Sequence, residues 1–336
     1  MDWFEKLTGF RETGYEETRR LLKTSSGRLR SRVNGASYET GELELISLQA
    51  LRARAQSGGN LPGQIRISVV KGDVRRMHQS PENAGALFQV ASQFNLLEMM
   101  SPHVTPERGV TCYQDDPTQG PACAIAAGAA TIYRNYFVPI DGSQGQTAAR
   151  QLNGLADLGV ALSSGTQLPV SDLWTMKNGY ALCNGTGLDA ITRYLQALGS
   201  DQFDVLRGKL CIGIHRDVEV TEAAGPDPLR VSQAFCSALP VAYSQVPPPH
   251  WELFASLVLE AAYEATLWAA VVNAQRGASK VVFLTLLGEG AFGNPGSWIY
   301  AALRRALKLM MTSDLDVRIV SYGTPSKELL AIAGRY

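Results

Sequence analysis

The alternation of apolar and polar positions divides the chain at Gly58-Gly59-Asn60-Leu61-Pro62-Gly63, a run too rich in glycine and proline to continue a helix or a strand. Before it, helical periodicity over Tyr15–Lys23 and Leu43–Ala55 flanks a Ser/Gly/Arg-rich stretch, Thr24–Gly35. With Arg19, Arg20, Lys23, Arg28, Arg30 and Arg32, that region is expected to be a solvated basic arm rather than a phosphate-binding or docking segment. After the break, short branched or apolar runs predict strands at Ile65–Val70, Ala86–Val90, Lys209–Ile214, Val241–Tyr243, Val281–Leu287 and Val317–Tyr322. Longer patterns predict helices at Ala122–Tyr136, Leu188–Leu198, Trp251–Ala274, Trp298–Leu309 and Lys327–Ala333.

Strands separated by helices imply a parallel or mixed sheet covered on both faces. The rhythm breaks over residues 138–208, where polar residues and glycines precede Trp174-Thr175-Met176-Lys177-Asn178-Gly179-Tyr180, so an insertion beside the sheet is expected there. The expected fold is α/β, a three-layer α/β/α domain over residues 61–336 with a helical insertion at about 138–208, preceded by an N-terminal helical extension over residues 1–60.

Composition narrows the function. Of 336 residues, 45% are hydrophobic and 18% charged, enough apolar material for a large core. Lys plus Arg equals Asp plus Glu at 31 each, so no overall field draws the chain to nucleic acid or to a membrane, and neither is expected as a partner. Cys112, Cys123, Cys183, Cys211 and Cys236 show no CxxC pair and no zinc spacing, which favours free thiols. The acidic start Met1-Asp2-Trp3-Phe4-Glu5 does not suit a signal peptide, and no uncharged stretch reaches the roughly 20 residues of a membrane helix. A cytoplasmic or nuclear protein is expected.

Four segments can carry chemistry. Val69-Val70-Lys71-Gly72-Asp73-Val74 runs a strand into a turn, where Asp73 can accept from an exocyclic amine such as that of adenine. Past the next strand, Ser92, Gln93 and Asn95 offer neutral donors and acceptors suited to ribose hydroxyls. Tyr113-Gln114-Asp115-Asp116-Pro117-Thr118-Gln119-Gly120 is a polar loop feeding a helix of small residues. Its adjacent acids lack the spacing of a calcium loop, so no metal is expected, and they suit general acid/base work or a guanidinium better. In the last segment, Gly288-Glu289-Gly290-Ala291-Phe292-Gly293-Asn294-Pro295, glycines follow a strand and Asn294 and Pro295 can open a helix. Backbone N–H groups there can hold a diphosphate without lysine. Gly288, Gly290 and Gly293 also spell GxGxxG, but no acid ends the next strand, which disfavours a Rossmann site.

Taken in order, these segments resemble the macrodomain family of ADP-ribose binders and hydrolases. Gln89–Met99 and Tyr113–Ala124 look more particularly like the arginine-specific macrodomain ADP-ribosylhydrolases, the MavL-like group. The resemblance implies a macrodomain-like sheet with no cofactor, and as partner ADP-ribose or an ADP-ribosylated protein, ubiquitin being one that it suggests. It places Asp73 and Val74 at adenine, Asn95 with Ser92 and Gln93 near the distal ribose, and Gly288, Gly290, Ala291, Phe292, Gly293 and Asn294 around the diphosphate. Asp115, Asp116, Thr118, Gln119 and Gly120 stand where the family has a glycine-rich ribose loop. That departure makes Asp115 and Asp116, with Glu289, the expected catalytic carboxylates for cleaving a ribosyl–arginine bond. The alternatives are a non-catalytic ADP-ribose reader and a hydrolase of O-acetyl-ADP-ribose or a phosphate ester.

Overall fold

The computed structural model describes residues 1–59, 61–225 and 227–334. Asn60, in the expected break, lies outside the described residues. A seven-stranded sheet organises the chain. Its strands are β1 (Glu42–Ser47), β2 (Arg66–Lys71), β3 (Leu87–Ala91), β4 (Cys211–Glu219), β5 (Arg230–Cys236), β6 (Val281–Leu284) and β7 (Asp316–Ser321). They lie in the order β1-β4-β5-β3-β6-β7-β2. From β5 to β2 every neighbouring pair is parallel, and β4 runs against both of its neighbours.

The helices that matter for the cleft are α1 (Leu48–Ser57), α2 (Val74–Gln79), α3 (Gln119–Ala126), α4 (Gly128–Tyr136), α5 (Glu252–Gln275), α6 (Gly296–Leu309) and α7 (Lys327–Ala333). Strand alternation sends Leu87 into a core shared with α1, α5 and α6. Phe88 and Val90 enter the opposite core, with Val74, Cys123 and Ala130. The sheet is therefore covered on both faces, as expected. Helix α5 is long and apolar enough to span a membrane, but 78% of its apolar window is buried inside the protein, as befits the central helix of one layer.

The region before the break differs from the expected helical extension. Leu43–Ala55 divides into β1 and α1, because Glu42-Leu43-Glu44-Leu45 alternates with period two and the Ser47 hydroxyl accepts the Ala50 N–H at 3.2 Å, starting the helix there. Strand β1 pairs with β4 from Ser47 to Glu42, so the sheet draws on chain from both sides of Gly58–Gly63. The basic stretch is a hairpin, Leu22–Ser25 with Arg28–Ser31, extended by Ser37–Glu39. Its turn residues Ser26 and Gly27 have φ of 51° and 70°, the left-handed pair that a tight hairpin needs.

Two other differences have local causes. Val241–Tyr243 is a 3-10 turn, and the missing strand is β5, whose buried Ser232 and Gln233 interrupt its apolar run. The expected helix Ala122–Tyr136 breaks into α3 and α4 at Ala127. There the Gly128 N–H turns to the Thr221 hydroxyl at 3.1 Å, and a Cβ on Gly128 would sit 2.8 Å from the Trp3 ring.

Away from the cleft, ion pairs tie the layer together. Glu264 of α5, 2% exposed, accepts from Arg52 of α1 and Arg305 of α6, both at 2.6 Å. Replacing Glu264 with Ala leaves both guanidinium groups, which keep contact with Asp204, short of a partner in a half-buried site. We expect a loss of about 2–3 kcal/mol of unfolding free energy in denaturant titration; a change under about 0.5 kcal/mol would show that the network is only surface decoration.

Candidate functional site

A cleft of about 600 Å³ opens beyond the carboxyl ends of β2, β3, β6 and β7, where open parallel sheets collect ligands. Its walls come from all four expected segments, joined by residues of the insertion and of the turn after β5. Among its described lining residues are four carboxylates, Asp73, Glu98, Asp116 and Glu289, and no lysine, arginine or histidine.

The first wall is the turn after β2. Asp73 is the N-cap of α2, its Oδ1 accepting the Arg75 N–H at 2.9 Å, and Val74 lines the cleft beside it. The second is the turn after β3, where Ser92 and Gln93 line the cleft but their side chains are engaged within the protein. The Ser92 hydroxyl donates to the Gln93 carbonyl at 3.0 Å, and Gln93 Oε1 accepts the Met99 N–H at 2.8 Å. Asn95 is fully buried and does not line the cleft. Its Oδ1 accepts the Leu97 N–H and its Nδ2 donates to Gln151, steadying a turn in which Leu96 has φ of 65°. Asn95, expected near the ribose, is thus placed beneath the wall with its amide engaged within the protein.

In the third segment, Asp116 lines the cleft and Asp115 is exposed and does not. Asp116 Oδ1 accepts the Thr118 N–H at 2.8 Å, which closes the loop so that Thr118 and Gln119 reach the wall. Gln119 serves the sheet: its Oε1 accepts the Ala91 N–H at 2.9 Å and its Nε2 donates to the Gln89 carbonyl at 2.8 Å. Gly120 allows the close approach this requires, since a Cβ there would lie 1.9 Å from the Ala91 oxygen.

The fourth wall is the glycine loop after β6. Gly288 (φ 80°) and Gly293 (φ 66°) take left-handed conformations. Asn294 ties the loop down, its Nδ2 donating to the Leu239 and Gly288 carbonyls at 2.9 and 3.3 Å. It is therefore a brace and not a helix cap, and neither it nor Gly293 lines the cleft. From beneath, the Tyr263 hydroxyl donates to the Thr285 carbonyl at 2.7 Å and accepts the Leu287 N–H at 2.8 Å. Among the described residues the N–H groups of Gly288, Gly290, Ala291 and Phe292 donate to no protein acceptor. They form a set of free donors beside the exposed Glu289.

Sequence reasoning missed the cleft's most unusual group. Glu98 is 2% exposed, neither of its carboxyl oxygens has a hydrogen-bond partner in the protein, and the Arg134 guanidinium stands 3.6 Å away. Burial pushes its carboxyl up to about 8, Arg134 opposes that shift and Asp116 adds to it. An acid among Leu96, Leu97, Met99 and Met100 was the available signal. Also missed were Tyr180 and Tyr243, whose rings gather with Phe292 at centroid distances of 5.2–5.8 Å. Tyr180 follows the Asn178-Gly179 turn of a hairpin in the insertion, a turn whose sequence is a strong hairpin signal.

No protein-family model matches the chain, and no curated protein matches its sequence. Among solved structures it is similar to the poly(ADP-ribose) glycohydrolase of Deinococcus radiodurans in complex with ADP-ribose, at 12% identity and a TM-score of 0.45, over 87% of this chain and 92% of that one. It is similar also to the poly(ADP-ribose) glycohydrolase of Thermomonospora curvata, at 12% identity and a TM-score of 0.44, over 96% of each chain. These values describe a likeness of outline.

Because the folded protein holds Glu98 protonated far above the range of an exposed carboxyl, its contribution to stability is complete below about pH 4.5 and is lost as pH rises through about 8. Unfolding free energy of wild type should therefore fall relative to Glu98→Gln across that window, by at most about 1.4 kcal/mol per pH unit. Parallel curves for the two proteins in pH-dependent denaturant titrations would contradict a carboxyl that burial keeps protonated.

Proposed function

We propose that this protein is an ADP-ribosylhydrolase that cleaves the N-glycosidic bond between ADP-ribose and an arginine side chain. The observation that carries the reading is the acidity of the cleft: four carboxyl groups, of which burial keeps Glu98 protonated near neutrality, and no basic side chain among its described lining residues. A cleft of that sign has to hold an anionic diphosphate on backbone N–H groups, which the Gly288–Phe292 loop offers, and it favours a cationic guanidinium as the leaving group. Asp73 and Val74 receive the adenine end, in keeping with the resemblance to macrodomains, and the acids at Asp116 and Glu98 take the reacting end.

The chemistry follows from the two acids at the reacting end. The bond from the anomeric carbon to the guanidine nitrogen breaks, and its electron pair leaves with nitrogen. Glu98, protonated near neutrality, donates a proton to that nitrogen. The Asp116 carboxylate stabilises the oxocarbenium-like charge and takes a proton from the water that adds to the anomeric carbon. Transfer of that proton back to Glu98 through solvent restores both groups, and the products are ADP-ribose and a guanidinium. Glu289, on the diphosphate loop, adds negative charge at the rim where a guanidinium enters. Asp115, exposed and outside the cleft, is expected to contribute little.

The test is incubation with arginine-, serine- and glutamate-ADP-ribosylated proteins, ubiquitin modified at arginine among them, with released ADP-ribose identified by mass spectrometry. Arginine-linked label alone should disappear, and Asp116→Asn and Glu98→Gln should each slow its release by about 10²-fold or more while Asp115→Asn leaves it near wild type. Binding of ADP-ribose with no release from any linkage would make the protein a reader. Release from serine or glutamate only would move the leaving group to a neutral class.

A further inference from the structure

The N-terminal segment lies against the part of the chain that carries Asp116. Trp3, Phe4, Leu7 and Tyr15 share a core with Leu97, Met99, Val110 and Tyr113. Within that contact the Glu12 carboxylate accepts the N–H of Val110 at 2.9 Å, the N–H of Thr111 at 2.7 Å and the Tyr136 hydroxyl at 2.6 Å. Gly109 (φ 89°) permits the approach, since a Cβ there would lie 2.3 Å from the Glu12 carboxyl carbon.

The two N–H groups held by Glu12 begin the 3-10 turn Thr111–Asp115, which has no side-chain cap of its own. A carboxylate at that point satisfies donors that the turn leaves open. The turn leads straight into Asp116. Its Tyr113, fully buried, places a hydroxyl 3.1 Å from the Glu98 N–H and accepts from it. One turn therefore sets both carboxylates of the reacting end, and Glu12 sets the turn. Between Met99 and Val110 the regular structure is one short 3-10 turn, Pro106–Arg108, so the register of the acidic loop depends on contacts from outside it.

We propose that Glu12 is a positioning residue for the cleft, clamping the Thr111–Asp115 turn so that Asp116 and Glu98 stay in their mutual geometry. This makes the N-terminal segment part of the catalytic scaffold, and it rests on the functional reading above. Displacement of a reacting group by about an ångström is enough to lower turnover strongly without changing how the rest of the substrate is held.

The experiment measures kcat and KM on an arginine-ADP-ribosylated protein, ADP-ribose affinity by calorimetry and the thermal midpoint, for wild type, Glu12→Ala, Glu12→Gln and, as control, Arg11→Ala. Among the described residues Arg11 makes only an exposed pair with Glu5. Glu12→Ala should lower kcat by about ten- to a hundredfold, with KM and ADP-ribose affinity within about twofold. Glu12→Gln, which keeps an acceptor oxygen, should recover most of the loss, and Arg11→Ala should match wild type. A lowered thermal midpoint with kcat of the folded protein unchanged would overturn the proposal. Should Glu12→Ala not fold, Glu12→Asp, which withdraws the carboxylate by one methylene, is judged by the same criterion. If wild type binds ADP-ribose but releases none, the functional reading falls and takes this proposal with it; if wild type turns over and the Glu12 variants keep its kcat, the proposal alone falls.

Discussion

The cleft exists because β3 and β6 part company. They pair only at Leu87–Val282 and Phe88–Phe283, whereas β3 stays paired with β5 as far as Ala91. Past Phe88 the backbone groups of β3 would be left without partners in a buried site, at a cost of about 1–3 kcal/mol each. Two side-chain amides close the gap. Gln119 accepts from the Ala91 N–H and donates to the Gln89 carbonyl, standing in for a strand. The Gln89 side chain reaches across the divide to accept the Thr285 N–H at 3.2 Å and donates to Thr266 at 2.9 Å. With the strands held apart and their polar groups satisfied, the space between becomes a stable cleft.

That constraint explains why several residues expected at the ligand also hold the scaffold together. Gln119, Asn95, Gln93 and Asn294 are neutral amides at strand ends, which suits them to hydroxyls or to free backbone groups, and sequence does not distinguish the two uses. In the fold each bonds a backbone group that the parting of the strands or a tight turn leaves open. The fold class, the segments that border the cleft and the left-handed glycine loop were legible, because strand alternation, helix periodicity and glycine spacing are local signals. Strand β5 was not, because Ser232 and Gln233 are buried there with partners from other elements, Gln233 donating to the Cys123 carbonyl at 2.9 Å. Nor was β1, whose short alternation runs on into a helix and blends with its period.

Glu98 was illegible for a related reason. In sequence it is one acid in an apolar run, and what sets it apart surrounds it only after folding: the close approach of Gly120, the Tyr113 hydroxyl and the Arg134 guanidinium. Arg134 is itself fully buried, its Nε donating to the Leu96 carbonyl at 3.0 Å and its guanidinium carbon 3.9 Å from the Phe235 ring centroid. Arg134 stands 3.6 Å from Glu98 and limits the cost of burying it, but burial outweighs that attraction and keeps the carboxyl raised.

The chain outside the sheet's parallel core also bears on the cleft. The insertion contributes Tyr180 through a hairpin, and Asn178 and Gln151 in the same region brace Asn95. The N-terminal segment contributes Glu12 and the apolar residues under Val110 and Tyr113. A parallel sheet by itself offers a ligand only turns at the ends of its strands, and those turns here supply Asp73, the glycine loop and the edge of the acidic loop. Glu98 follows the turn after β3, and the aromatic wall takes only Tyr180 from the insertion, beside Tyr243 and Phe292. The additions that depart from a minimal α/β domain therefore border the cleft without charging it: the insertion lends Tyr180 to the wall, the N-terminal segment packs under the turn that leads to Asp116, and the four carboxyl groups all come from the sheet's own turns and loops.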